Sequence, residues 1–231
     1  MPALKRGATN AGRFGILLVA LLAIFAVAPF AERHQGPVQP LSLAFSAALV
    51  AGVYSVARRP RVLKLALLVA IPALAIEWLS NYYPTTTAVV VNLCLLGLFV
   101  AFVAAVILLE VLEESRVTLD TIFGGVAIYL LIGLAWTFGY AVIEHLEPGS
   151  FPLGEAPLQS LRQPFEFVFP ELIYFSFVTL TTLGYGDMAP ATQPARIFAI
   201  FEAITGQLYV AIFIARLVAL HITHQRDKQQ S

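Results

Sequence analysis

The residues whose types and spacing could do chemistry fall in one stretch, Thr179-Leu180-Thr181-Thr182-Leu183-Gly184-Tyr185-Gly186-Asp187, set between two long apolar segments. A bare cation crosses a membrane only where oxygen atoms replace its water shell, and an extended backbone with every carbonyl aimed the same way can supply them. Gly184 and Gly186 permit that arrangement. Lacking a Cβ, each can take the positive φ that turns its carbonyl toward the side its neighbours face. Leu183 and Tyr185 would then point away from the axis and pack behind the ladder. The Thr182 hydroxyl would add one more oxygen at the inner end, and Asp187 would fall just beyond the last carbonyl.

With its threonine pair, both glycines, tyrosine and aspartate in register, the stretch resembles the signature of the potassium-channel family, with Leu183 where valine is commonest. The resemblance implies a selectivity filter made of Thr182, Leu183, Gly184, Tyr185 and Gly186, K+ as the permeant ion, no cofactor, and no enzymatic activity. One chain carries one signature, so it also implies a homotetramer in membrane lipid, with four filters around one axis. In relatives the aspartate is held by an aromatic donor on the pore helix and often by a second acid. Here Tyr174 stands at the aromatic position and Val178 at the acid's. Gly206, twenty residues beyond Gly186, falls where the family places a hinge glycine; a glycine for close helix packing is the other reading. The resemblance covers Leu119 to His224, while the first 118 residues match in helix count only. Alternatives are a weakly selective cation channel, a potassium-uptake transporter subunit, or a non-conducting membrane sensor that has kept a pore-like end. Transporter subunits of that kind carry four degenerate repeats per chain, and this chain has one.

The elements around this stretch are those of an integral membrane protein, since 59% of the residues are hydrophobic and only 12% charged. With zero net charge and no basic patch interleaved with aromatics, no nucleic-acid partner is expected. Cys94 is the single cysteine and cannot form an intrachain disulfide; it reads as a small buried hydrophobe. Six apolar stretches approach the roughly 20 residues that cross about 30 Å of hydrocarbon: Phe14 to Phe30, Leu41 to Ala57, Val62 to Leu79, Thr87 to Leu109, Leu119 to Ile143 and Arg196 to Ile222. A shorter one, Pro170 to Thr181, runs into the signature and reads as a re-entrant pore helix. The expected fold is therefore all-α, with six transmembrane helices, a re-entrant pore helix and an extended filter. Its divisions are a cytoplasmic N-terminus (1–13), a four-helix transmembrane domain (14–109), a cytoplasmic linker (110–118), a pore domain (119–224) and a cytoplasmic tail (225–231). Residues 1–28 also resemble a secretory signal ending Ala26-Val27-Ala28, although Pro29 would hinder cleavage there.

Basic residues orient the chain in the membrane. With the N-terminus inside, eleven of the fourteen lysines and arginines lie on the cytoplasmic side, and only Arg33, Arg162 and Arg196 lie outside. This puts the filter's outer mouth on the exterior of the cell membrane. A voltage sensor needs repeated cations along one helix, each gaining about 2.3 kcal/mol per 100 mV. The fourth apolar stretch has none, and Arg58, Arg59, Arg61 and Lys64 cluster in a short loop as a positive-inside anchor.

Gly124, Gly125, Gly133 and Gly139 let helices approach closely. Four prolines mark Glu144 to Phe169 as an exterior turret. Pro170 suits a first helical position, and Glu171 would sit at the positive end of the dipole. Glu202 is an intramembrane acid, expected to meet pore-helix hydroxyls such as Ser176 or Thr179, in a structural bond or in a role in conduction. Val210, Ile214, Val218 and Ile222 repeat every four residues and either line a cavity with Val218 and Ile222 as its gate, or face lipid or core. His221 and His224 sit at the inner end, as pH sensors or as interfacial residues. His34 and His145 read as solvated loop residues, and the nine residues after Ile222 leave no room for a regulatory domain.

Overall fold

The computed structural model describes residues 12–28, 40–80, 85–114, 117–152 and 164–230, and among them it is all-helical. The helices are α1 (Arg13–Val27), α2 (Pro40–Val56), α3 (Pro60–Ser80), α4 (Thr86–Glu113), α5 (Leu119–Leu146), α6 (Pro164–Leu180) and α7 (Gln193–Gln230). They fall on the six apolar stretches and the shorter seventh one. Three are long and apolar enough to cross a membrane, over Thr87–Glu113, Leu119–Leu146 and Gln193–Leu220. α1 and α2, at 15 and 17 residues, are shorter. Local chemistry starts the long helices: Thr85 caps α4 by accepting from the Ala88 amide at 3.2 Å, and Thr118 and Thr121 form a reciprocal capping box on α5.

Two boundaries differ from the hydropathy reading. α6 begins at Pro164, so Pro164 takes the first helical position and Pro170 lies inside the helix. Glu171 is accordingly well past the first turn. Pro170 removes one main-chain bond without ending α6, because Phe169, Leu172 and Ile173 beside it are buried and hold the helix by tertiary packing. α7 continues to Gln230, well past its apolar part, because the polar residues there are good helix formers and hydropathy reports the membrane rather than the helix end. α3 likewise continues through Pro72. The side chains of His34, His221 and His224 lie outside the described residues, so the readings placed on them do too.

One apolar core joins the first four helices to α5 and α6. Leu17, Leu21 and Ile24 of α1, Phe45 and Leu49 of α2, and Leu96, Phe99 and Val103 of α4 enclose Leu131, Leu134 and Phe138 of α5. Phe45 and Phe138 in turn meet Phe169 of α6, with ring centroids 5.0 and 5.2 Å away. Lipid is as apolar as these side chains, so close fit rather than escape from water must hold them together. The four glycines of α5 supply it. Gly124 seats Phe14 of α1, Gly125 seats Phe213 of α7, Gly133 seats Phe177 of α6 and Gly139 seats Phe198 of α7. Cys94 is not buried as expected: it is exposed, on the α4 stripe it shares with Val91, Leu98 and Ala101.

At the end of the bundle nearest the chain's start, polar ties replace apolar ones. Arg13 donates to the Ser55 carbonyl at 2.9 Å and pairs with Glu110, and Arg59 pairs with Glu113 at 2.7 Å. Arg216 of α7 donates to the carbonyls of Leu112 and Glu114, where the α4 dipole is negative.

α7 packs on the C-terminal end of α6 through Gly206. A Cβ there would overlap the Leu180 carbonyl, which is backbone and cannot rotate aside. Alanine gains up to about 1 kcal/mol of helix propensity over glycine, whereas overpacking costs about 1–3 kcal/mol. Gly206→Ala should therefore lower the thermal unfolding midpoint of the purified protein, and an unchanged or higher midpoint would show that the contact is loose.

Candidate functional site

α6 delivers the signature stretch, and the way the helix ends sets its course. After Leu180 the Thr182 amide bonds to the Thr179 carbonyl at 3.0 Å and the Leu183 amide to the Val178 carbonyl at 3.0 Å. These are the two bonds of a Schellman motif, which requires a left-handed residue between them. That residue is Thr182, at φ +60, the one described non-glycine residue with positive φ. Glycine usually takes this place, so a threonine here carries backbone strain of about 1–2 kcal/mol. Its hydroxyl is kept and accepts from Gln207 Nε2 of α7 at 3.3 Å.

From Thr182 onward the sign of φ alternates. Gly184 is at +56 and Gly186 at +81, while Leu183 and Tyr185 are not positive. Alternating handedness of this kind permits successive carbonyls to turn to one side, as an oxygen ladder requires. The same alternation sends the side chains of Leu183 and Tyr185 to the opposite side. Sequence reasoning expects Leu183 and Tyr185 to pack behind the ladder, but within this chain they are 57% and 67% exposed. No part of the described chain forms that wall.

The outer end is tied down independently. Tyr174 donates to Asp187 Oδ2 at 2.6 Å. This hydrogen bond is the main reason the Asp187 carboxyl lies below the ordinary carboxylate range, and it raises the Tyr174 hydroxyl to about 12. The loop after Asp187 is held by the Ala191 amide on the Ser150 carbonyl at 2.8 Å and by Ser150 Oγ against Thr192 Oγ1 at 2.9 Å. The turn carrying Ser150 is in turn fixed by Glu144, which accepts from the Gly149 and Phe151 amides at 2.8 and 2.9 Å. Phe151 closes a small core with Tyr140, Leu172 and Phe175.

Behind α6, Glu202 of α7 is completely buried. Of the two expected partners it is Ser176 that reaches it, at 2.5 Å, and Tyr140 of α5 adds a second hydrogen bond. Tyr140 was not singled out in the sequence, because nothing in the spacing of α5 tells which residue faces α7. Tyr129 donates to the Leu180 carbonyl at 3.3 Å and Tyr209 to the Gly125 carbonyl at 2.7 Å, two further ties that sequence reading missed. Val210, Ile214, Val218 and Ile222 are all exposed along α7. Among the described residues no cluster of His, Cys, Asp or Glu could hold a metal ion.

Comparison with known proteins falls on the same segment. A family described as ion channels matches residues 117–222, just under half of the chain, from before α5 into α7. The chain is 32% identical over 91 residues to two pore potassium channel c of Oryza sativa subsp. japonica, covering 39% of this chain and 17% of that protein. It is 36% identical over 60 residues to two-pore potassium channel 4 of Arabidopsis thaliana, covering 26% of this chain and 21% of that one. A third relative is an A-type voltage-gated potassium channel of Rattus norvegicus, 36% identical over 61 residues, which are 26% of this chain and 9% of the relative. The chain thus spans no more than 21% of the length of these relatives. No solved structure matches it significantly. The similarities are to ion channels, potassium channels among them, and with the long apolar helices they support a membrane location.

A depressed carboxyl contributes stability above the ordinary carboxylate range and loses it as pH falls through the lowered value. Tyr174→Phe removes the donor, so Asp187 should return toward the ordinary range, and the variant should be less stable than the parent at neutral pH and lose less further stability on acidification. Identical acid profiles for the parent and Tyr174→Phe would show that Tyr174 does not hold the carboxylate.

Proposed function

We propose that this chain is one subunit of a potassium-selective channel, a homotetramer of the cell membrane that passes K+ down its electrochemical gradient. The filter consists of four copies of Thr182 to Gly186. The observation that carries this reading is the backbone of that segment, with positive φ at residues 182, 184 and 186 at the capped end of a helix. One chain supplies one strand of oxygens, and a dehydrated cation needs them on all sides. The exposure of Leu183 and Tyr185 and the apolar residues left uncovered along α7 support a neighbouring copy as the missing wall. In this reading six helices span the bilayer and both termini are cytoplasmic. α6 is the re-entrant helix, its negative end favouring a cation in the cavity. Val218 and Ile222 form the inner constriction, and Gly206 is both a packing glycine and the pivot of α7.

Reconstituted in liposomes with unequal potassium and sodium, the protein should show a reversal potential near that of potassium. Comparable permeability to the two ions would replace this reading with a weakly selective cation channel, and absence of flux would leave a membrane protein without a conducting role.

α4 carries no lysine or arginine along its 28 residues. Without an array of charges to move through the field, conductance should change gradually with voltage. A steep activation curve equivalent to several elementary charges would show that gating charge resides elsewhere.

A further inference from the structure

We infer that Glu202 is held as the neutral carboxylic acid and, through Ser176, acts as a positioning residue for α6 and the filter it carries. The inference comes from counting protons. Ser176 Oγ has two oxygens at hydrogen-bond distance, Glu202 Oε1 at 2.5 Å and the Gly133 carbonyl at 2.8 Å. A serine hydroxyl has one proton to give, and a carbonyl has none. An ionised Glu202 would therefore leave one of these two contacts as oxygen against oxygen with nothing between. Thr137 Oγ1 cannot make up the deficit, because its own proton already goes to the Gly133 carbonyl at 2.9 Å. With the proton on Glu202 every contact is filled: Glu202 Oε1 donates to Ser176, Ser176 donates to Gly133, and Tyr140 donates to Glu202 Oε2.

The surroundings point the same way. Glu202 has no exposed surface. The groups that face it are hydroxyls: Tyr140, with Tyr129 further along α5, and Ser176 of α6. On α7 itself the nearest cation, Arg196, is turned to the Pro190 carbonyl, and neither ion pair among the described residues includes Glu202. A buried carboxylate with two donors and no countercharge is unfavourable, whereas the neutral acid both gives and accepts a bond. The chain of bonds joins α5, α6 and α7 at one point, and Ser176 lies one helical turn before Leu180, the last residue of α6. The acid thereby sets the rotation and height of α6 against the other two helices.

The sign of the pH dependence follows. A fold that favours the neutral acid draws stability from it at low pH and loses that stability as pH rises through the group's value in the folded protein. The experiment uses the full chain in lipid. Infrared spectroscopy at neutral pH should show a protonated-carboxyl stretch that is missing in Glu202→Gln, and the band should vanish on alkalinisation over the same range in which thermal stability falls. The amide of Glu202→Gln can donate to Ser176 and accept from Tyr140, so this variant should keep parental stability at neutral pH and lose the alkaline decline. Glu202→Ala should lose stability at every pH. Absence of the band at neutral pH, or a Glu202→Gln protein as impaired as Glu202→Ala, would overturn the inference. Potassium flux is read in parallel, because the effect on the filter rests on the channel reading. Flux that follows the alkaline decline in the parent and not in Glu202→Gln supports the positioning role. A band and stability profile as described in a protein without flux would uphold the neutral acid and sink the channel reading alone.

Discussion

A backbone that turns all its carbonyls to one side can form neither a helix nor a sheet ladder, so it has to be held in place by other parts of the molecule. Residues 182–186 have the alternating sign of φ that such a backbone needs and no strand partner. Their inner end is clamped by the Schellman bonds on Val178 and Thr179, and by the side chain of Gln207 on Thr182. Their outer end is clamped by Tyr174 on Asp187 and by the turn at Ser150. Both clamps belong to helices rather than to the segment itself. The precision of the ladder is therefore the precision with which α5, α6 and α7 are packed.

That packing is achieved in a medium where burying apolar surface gains little. Phenylalanine rings seated on glycines bring α1, α6 and α7 against α5. Between these helices, hydroxyls and the buried acid Glu202 supply the directional bonds, which give specificity because the alternative to each is an unpaired polar group in hydrocarbon. The first four helices contribute through the same core, since Phe45 of α2 and Phe138 of α5 reach Phe169 at the start of the buried part of α6. The ties at the other end, Arg13 on Glu110 and Arg216 on the end of α4, give the first helices a second hold on α7.

The strain at Thr182 has a structural cause and a chemical return. The helix cap calls for a left-handed residue, which glycine would meet at no cost, but glycine would bring no hydroxyl. A threonine held there by two main-chain bonds keeps an extra oxygen at the inner end of the ladder. The neighbouring glycines at 184 and 186 then take the remaining positive-φ positions without strain.

Much of this was legible in the amino-acid sequence, because the features concerned are local. Apolar runs of a given length imply helices, paired glycines around a tyrosine permit the alternating backbone, and Tyr174 and Asp187 are placed by their separation from one rigid turn of α6 and its cap. Helix ends were read less well: α6 starts earlier and α7 runs later than hydropathy suggested, since hydropathy marks contact with lipid or core and not the hydrogen bonding of the backbone. What only the tertiary structure decided are contacts between residues far apart in the chain: Tyr140 on Glu202, Phe213 on Gly125, Arg216 on Leu112, and Gly206 beneath the Leu180 carbonyl. All-apolar helices have no polar face to reveal which side turns inward, so their rotations are set by the fit of rings into glycine notches. That rotation decided whether Cys94 faced out and Glu202 faced in.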